Sequence, residues 1–151
     1  MDEANAFSRL LAALETDGIR FIVIGMSAAI AQGVMGATLD IDLWINLPAR
    51  QYVKVLALAR KTGAVIGANT VVFLSDGTPV NFVYEVSGLG SFQSEWKHTV
   101  SSMIHGREVP VLHLTRIQKS KRAIRRDKDL LHIRLIADFL KCQKGLKIGG
   151  S

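Results

Sequence analysis

"GATLDIDLWINLP", residues 36–48, decides how the rest of the chain is read. Asp40 and Asp42 flank Ile41 inside an apolar run whose composition predicts a strand over 40–46. Side chains at i and i+2 of a strand share a face, about 7 Å apart. Two ionised carboxylates on a buried face are costly unless a cation or hydrogen-bond donors compensate. Their oxygens are hard ligands that suit Mg2+ or Mn2+, so the pair predicts a divalent cation beside phosphate chemistry. The competing reading places both acids in solvent at the start of the strand, with no chemical role.

The preceding residues favour the first reading. Residues 20–25, Arg-Phe-Ile-Val-Ile-Gly, predict a short buried strand that turns at Gly25 into a small-residue helix over 27–32. Backbone N–H groups at that turn, with the Ser27 hydroxyl, would form an anion site suited to a triphosphate, although Ser27 serves equally as a helix cap. A metal site next to a phosphate cradle points to nucleotide chemistry.

The remaining elements alternate between helix and strand. Asp2 or Asn5 caps a first helix carrying Phe7, Leu10, Leu11 and Leu14 at helical spacing, and Asp17-Gly18 ends it. Pro48 opens a helix that runs to Lys61. Residues 71–74 and 79–84 predict a hairpin around Ser75-Asp76-Gly77-Thr78, and 100–104 with 108–112 predict another around His105-Gly106-Arg107. Thr115 caps a further helix, and Asp127 begins the last, with Leu130, Ile133, Leu135, Ile136 and Leu140 as its apolar face. The expected architecture is α/β (α+β), a mixed sheet flanked by helices with further helices at the C-terminus. Residues 1–145 form a single domain and 146–151 a flexible tail.

The bulk numbers exclude several classes. With 151 residues, 48% apolar and 21% charged, the chain has the composition of a globular domain with a real core. Apolar runs such as 21–25 and 26–31 are too short to cross a bilayer, and Met-Asp-Glu-Ala-Asn has no features of a secretory signal. The single cysteine, Cys142, excludes an internal disulfide, and a cytoplasmic location is the default expectation. His98, His105, His113 and His132 share no ligand spacing and are read as surface or structural residues, Trp44 as core and Trp96 as a loop anchor. The net charge of +6 is concentrated between Arg116 and Lys128, a pattern that suits an anionic partner as well as a solvated helix face.

Residues 21–45, FIVIGMSAAIAQGVMGATLDIDLWI, resemble the nucleotidyltransferase (polymerase-beta-like) superfamily, whose signature is an apolar strand, Gly-Gly or Gly-Ser, a short helix, and D-x-D or D-x-E on the next strand. The small residues, the Gln-Gly pair and T-x-D-I-D-L-W-I are similar to the minimal nucleotidyltransferases grouped with AbiEii-type toxins. Residues 114–136, LTRIQKSKRAIRRDKDLLHIRLI, resemble that group's S-K pair followed by R-x-K-D. The resemblance implies Gly25 as the signature glycine, Asp40 and Asp42 as ligands of Mg2+ or Mn2+, and Lys121 as the motif lysine. Arg126, Lys128 and Asp129 match the R-x-K-D element, with Lys121 and Arg125 or Arg126 neutralising charge on the NTP. It implies transfer of a nucleoside monophosphate to a hydroxyl of RNA (tRNA included), protein or a small molecule, within a toxin–antitoxin setting.

Two positions depart from the signature. Met26 stands where the second glycine or serine is expected, with Ser27 one place later. Asn81 stands at the position aligned with a third acid on a later strand, and an amide is a poor general base and a weaker magnesium ligand. Glu85 shares the face of Asn81 but lies four residues on, about 13 Å at strand rise. The sequence therefore also admits a silent nucleotidyltransferase-like binding or regulatory protein of antitoxin type. The basic stretch 116–128 suits an RNA or protein partner, and a homodimer or partner protein is compatible with the chain. A small-molecule enzyme would need an acceptor pocket built from the C-terminal half or a dimer partner.

Overall fold

All four residues of β1, Phe21–Ile24, are buried, which only a central strand with cover on both faces allows. The structure, a computed structural model, describes residues 5–149. Seven strands form one mixed sheet in the order β3-β4-β5-β2-β1-β7-β6. β2 (Ile41–Ile45) runs antiparallel to β1 on one side, and β7 (Arg107–Leu112) runs parallel to β1 on the other. β5 (Pro79–Val83) lies parallel to β2, which sets Asp42 opposite Asn81. β4 (Val71–Phe73) continues antiparallel from β5, β3 (Val65–Ala68) closes that edge, and β6 (Thr99–Ile104) closes the other.

Helix α1 (Ala6–Thr16) buries Phe7, Leu10, Leu11 and Leu14 and packs on α3 (Tyr52–Lys61). Asn5 is its cap, accepting the Ser8 N–H, and the alternative cap Asp2 lies outside the described residues. The short α2 (Gly25–Ala31) lies against β1, β2 and α5 (Leu114–Ile124), and α4 is a single turn, Phe92–Glu95. α5 turns sharply into α6 (Asp127–Gly149) at Arg125, whose backbone is left-handed at φ +56° and whose N–H donates to the Lys121 carbonyl.

Several boundaries differ from the sequence reading for identifiable reasons. β2 begins at Ile41 rather than Asp40, because the Thr38 hydroxyl pairs with the Asp40 backbone and holds it in the preceding loop. Pro48 does not open an α-helix: a 3-10 turn, Ala49–Gln51, intervenes before α3. His113, not Thr115, caps α5, its Nδ1 accepting the Thr115 N–H at 3.2 Å. β3 carries no apolar signal of burial because all four residues are exposed at the sheet edge. On α6, Ile136 is buried but Leu130 is 52% exposed, so the expected apolar face is only partly used. That helix continues to Gly149, and the last two residues of the expected tail, 146–151, lie outside the described residues.

Candidate functional site

Asp42 sits where β1 gives way to α2, across the ladder from Ile24. Gly25 has φ +72°, a conformation glycine adopts without cost, and a Cβ there would collide with Asp42 Oδ2. The glycine therefore does two things, turning the chain and making room for a carboxylate against its backbone. On the other flank the Asn81 amide donates to the Asp42 carboxylate. Burial pushes the Asp42 carboxyl above its ordinary value, the Asn81 hydrogen bond opposes that, and neighbouring Asp40 adds to it.

A cavity of about 250 Å³ opens over this pair, lined by Gly25, Asp42, Asn81, Glu85, Lys121 and Arg126 among others. Lys121 reaches it from α5 and is itself buried. Its Nζ lies 3.5 Å from Asp129 Oδ1 and 3.1 Å from His132 Nδ1, both on the first turns of α6. Burial holds the Lys121 ammonium below its ordinary pKa, against the pull of Asp129 and Asp42. Burial and the adjacent Lys121 charge keep His132 low as well, so a neutral imidazole accepts the lysine's hydrogen bond.

Asp129 is fully buried and is the organiser of this corner. Its Oδ2 accepts from the Arg126 backbone N–H at 3.1 Å and from Arg126 Nε at 2.8 Å, closing the first turn of α6 as a capping carboxylate does. Burial alone would raise its pKa, but the hydrogen bonds from Arg126 and the charge of Lys121 bring it below the ordinary carboxylate range. The R-x-K-D motif thus holds a structural turn and a cationic wall together.

The other candidates fall elsewhere. Asp40 is exposed and, with Ser27, borders a neighbouring cavity rather than the one over Asp42. The Ser27 hydroxyl donates to the Ile24 carbonyl at 3.3 Å. α2 has only seven residues, so its dipole adds little to an anion site there. Arg125 is exposed and does not line the cavity over Asp42. Within the basic stretch, Arg116 is clamped to buried Glu95 at 2.7 and 2.6 Å, leaving Lys119, Arg122, Arg125 and Lys128 as exposed positive charges. Two residues that the sequence reading set aside enter the site: His132, read as surface or structural, and Glu85, judged too far from Asn81 to replace it. The i, i+3 spacing of Asp129 and His132 on one helix face was the available signal for the first.

Among the described residues, no three His, Cys, Asp or Glu side chains form a cluster able to hold a metal ion alone. Magnesium asks for less, commonly one or two carboxylates completed by substrate phosphates. Half-buried Asp42, with Asp40 beside it, suits one such ion, whereas the Asn81 amide gives no third carboxylate for a paired ion.

The seven-stranded mixed sheet with its flanking helices is the fold seen in solved nucleotidyltransferase structures. The solution structure of the antibiotic-resistance factor ANT(2″)-Ia superposes with a TM-score of 0.58 at 15% identity, over 92% of this chain and 84% of the other. LnuA, a lincosamide antibiotic adenylyltransferase determined with lincomycin bound, gives 0.54 at 14% identity over 85% and 92%. An antigenic nucleotidyltransferase-like protein from Paracoccidioides brasiliensis gives 0.51 at 16% identity over 89% and 75%. At these identities the likeness is one of fold. No family model and no curated protein sequence matches the chain. Among the described residues no helix is long and apolar enough to cross a membrane.

Proposed function

We propose that the protein transfers a nucleoside monophosphate from a nucleoside triphosphate to an acceptor hydroxyl. The observation that carries this reading is one cavity in which half-buried Asp42, seated on Gly25 and hydrogen-bonded by Asn81, shares walls with Lys121 and Arg126. Lys121 and Arg126 bind the triphosphate and neutralise charge that develops on it, fixed in place by Asp129 and His132. The Gly25 turn lets the phosphate chain approach the backbone closely. Asp42 and Asp40 would hold a magnesium or manganese ion, which when bound supplies Lewis-acid charge at the α-phosphate. The acceptor is a hydroxyl of RNA, protein or a small molecule, the first two being what a toxin-like enzyme would modify.

A second reading, nucleotide binding without turnover, is favoured by the Asn81 amide at the register position of Asp42. One experiment separates the two. The protein is incubated with α-labelled ATP, CTP, GTP or UTP, magnesium or manganese, total RNA and cell lysate. Label on an acceptor that disappears with Asp42→Ala is the outcome expected of the enzyme. No label on any acceptor, with nucleotide binding retained, establishes the silent protein instead.

A further inference from the structure

Asp42, Glu85 and Asp129 bring their carboxylates to the walls of the cavity of about 250 Å³. Two of the three are committed. Asp42 accepts from the Asn81 amide, and both oxygens of fully buried Asp129 are taken by Lys121 and Arg126. Glu85 is exposed and makes no hydrogen bond or ion pair among the described residues. A straight strand would carry Glu85 well past Asn81, but β5 ends at Val83 and the chain bends at Tyr84, and both residues line the same cavity. A second cavity of about 560 Å³, walled by Trp44, Leu47, Tyr84 and Phe92, shares Glu85 and Val86 with the first. Glu85 thus stands at the boundary of the two. In the second cavity the buried Tyr84 hydroxyl has no hydrogen-bond partner, an unmet group that an entering molecule would satisfy.

Resting on the transfer reading above, we propose that Glu85 is the general base of the reaction. The other candidates are excluded by what they already hold. The Asn81 amide nitrogen is no base, and its N–H is spent on Asp42. Asp40 and Asp42 are the carboxylates assigned to the metal ion, whose charge would draw on the lone pairs a proton needs. Protonating Asp129 would loosen Lys121 and Arg126, the two cations that face the triphosphate. Glu85 has both oxygens free. The acceptor enters from the larger cavity, so its hydroxyl meets Glu85 on the way to the phosphorus. The acceptor oxygen bonds to the α-phosphorus while its proton passes to the Glu85 carboxylate. The bond from that phosphorus to the α,β-bridging oxygen breaks, and pyrophosphate leaves with the electron pair. Because Glu85 is exposed, it returns its proton to water between turnovers, which buried Asp129 could not do. On this assignment the amide at position 81 is no bar to turnover.

Turnover and nucleotide binding are measured side by side. Pyrophosphate release from ATP, CTP, GTP and UTP with magnesium or manganese uses water as the acceptor, and α-labelled nucleotides with total RNA and cell lysate offer larger ones. Glu85→Gln keeps the shape and removes the base, and is expected to slow turnover by about 100-fold. Its nucleotide affinity by equilibrium dialysis is expected to stay within about twofold of the parent. Glu85→Ala leaves a gap that formate can enter, and added formate is expected to raise its rate by about tenfold while leaving Glu85→Gln unmoved. A purely structural glutamate would give no such rescue. A parent that turns over beside an equally active Glu85→Gln, or a Glu85→Ala that ignores formate, overturns the assignment and leaves the transfer reading standing. A parent that binds nucleotide and turns over with no acceptor sinks the transfer reading, and the role of Glu85 falls with it.

Discussion

Two ion clusters are set into this domain, and they are built on opposite logics. Glu95 is buried, chelated by Arg116 through both oxygens and by the Gly90 N–H, and each partner is moved toward its charged form. Both oxygens have fixed donors, three in all. Around Asp129 the carboxylate is likewise satisfied, but Lys121 is held below its ordinary pKa by burial and points into a cavity. The first cluster is closed and staples α4 to α5, while the second leaves a desolvated cation, paired only at 3.5 Å with Asp129, on the wall of a cavity. The difference separates a charge used wholly for architecture from one that the proposed transfer would use on a phosphate, although both lie in the same basic stretch of sequence.

The comparison can be broken from either side. Lys121→Met is expected to lower the transfer rate by about 100- to 1000-fold, the usual cost of removing one charge-stabilising group. Its unfolding free energy is expected to stay within about 1 kcal/mol of the parent, because Asp129 keeps its Arg126 bonds and a desolvated ammonium is lost. Urea denaturation and labelled-product assays read the two quantities separately. Glu95→Ala should do the reverse, costing about 3 kcal/mol of stability by leaving Arg116 without its carboxylate, with the transfer rate per folded molecule unchanged.

A gentler perturbation is pH. Because Arg116 holds the folded Glu95 carboxyl below its ordinary range, the clamp contributes fully above the unfolded glutamate value of about 4.3 and fades as pH falls through the lower folded value. Melting temperature should therefore drop more steeply on acidification in the parent than in Glu95→Gln. The smallest effect concerns the hinge between the clusters: Arg125→Gly relieves a left-handed arginine and is expected to stabilise by about 0.5–1 kcal/mol with no change in transfer.

The central sheet was legible because β1 and β2 announce themselves by unbroken apolar runs, and the acid pair marks which end of β2 matters. Tertiary detail was not. A strand register of two residues puts Asp40 and Asp42 on one face; the Thr38 hydroxyl pairs with the Asp40 backbone just before the strand, leaving Asp40 near enough to raise the Asp42 carboxyl's pKa while its exposed side borders a second cavity. β3 escaped notice because an exposed edge strand has no burial pattern to display. Three of the seven cations in what reads as a basic, RNA-like stretch, Arg116, Lys121 and Arg126, are taken up by Glu95 and Asp129. His132 gained its place only when the α5–α6 turn brought two helices into contact.

The Asn81 amide beside Asp42 has a consequence in evolutionary terms. Either asparagine codon lies a single transition from an aspartate codon, so a third carboxylate is always one base away from appearing in this cavity. A lineage standing at that position can move between a site that carries two acids and one that carries three without passing through a broken fold, since Asn and Asp are nearly the same shape. A carboxylate there would lose the amide's hydrogen bond to Asp42 and add a second charge beside one that burial already disfavours, so a change to aspartate carries with it a demand for a neutralising cation.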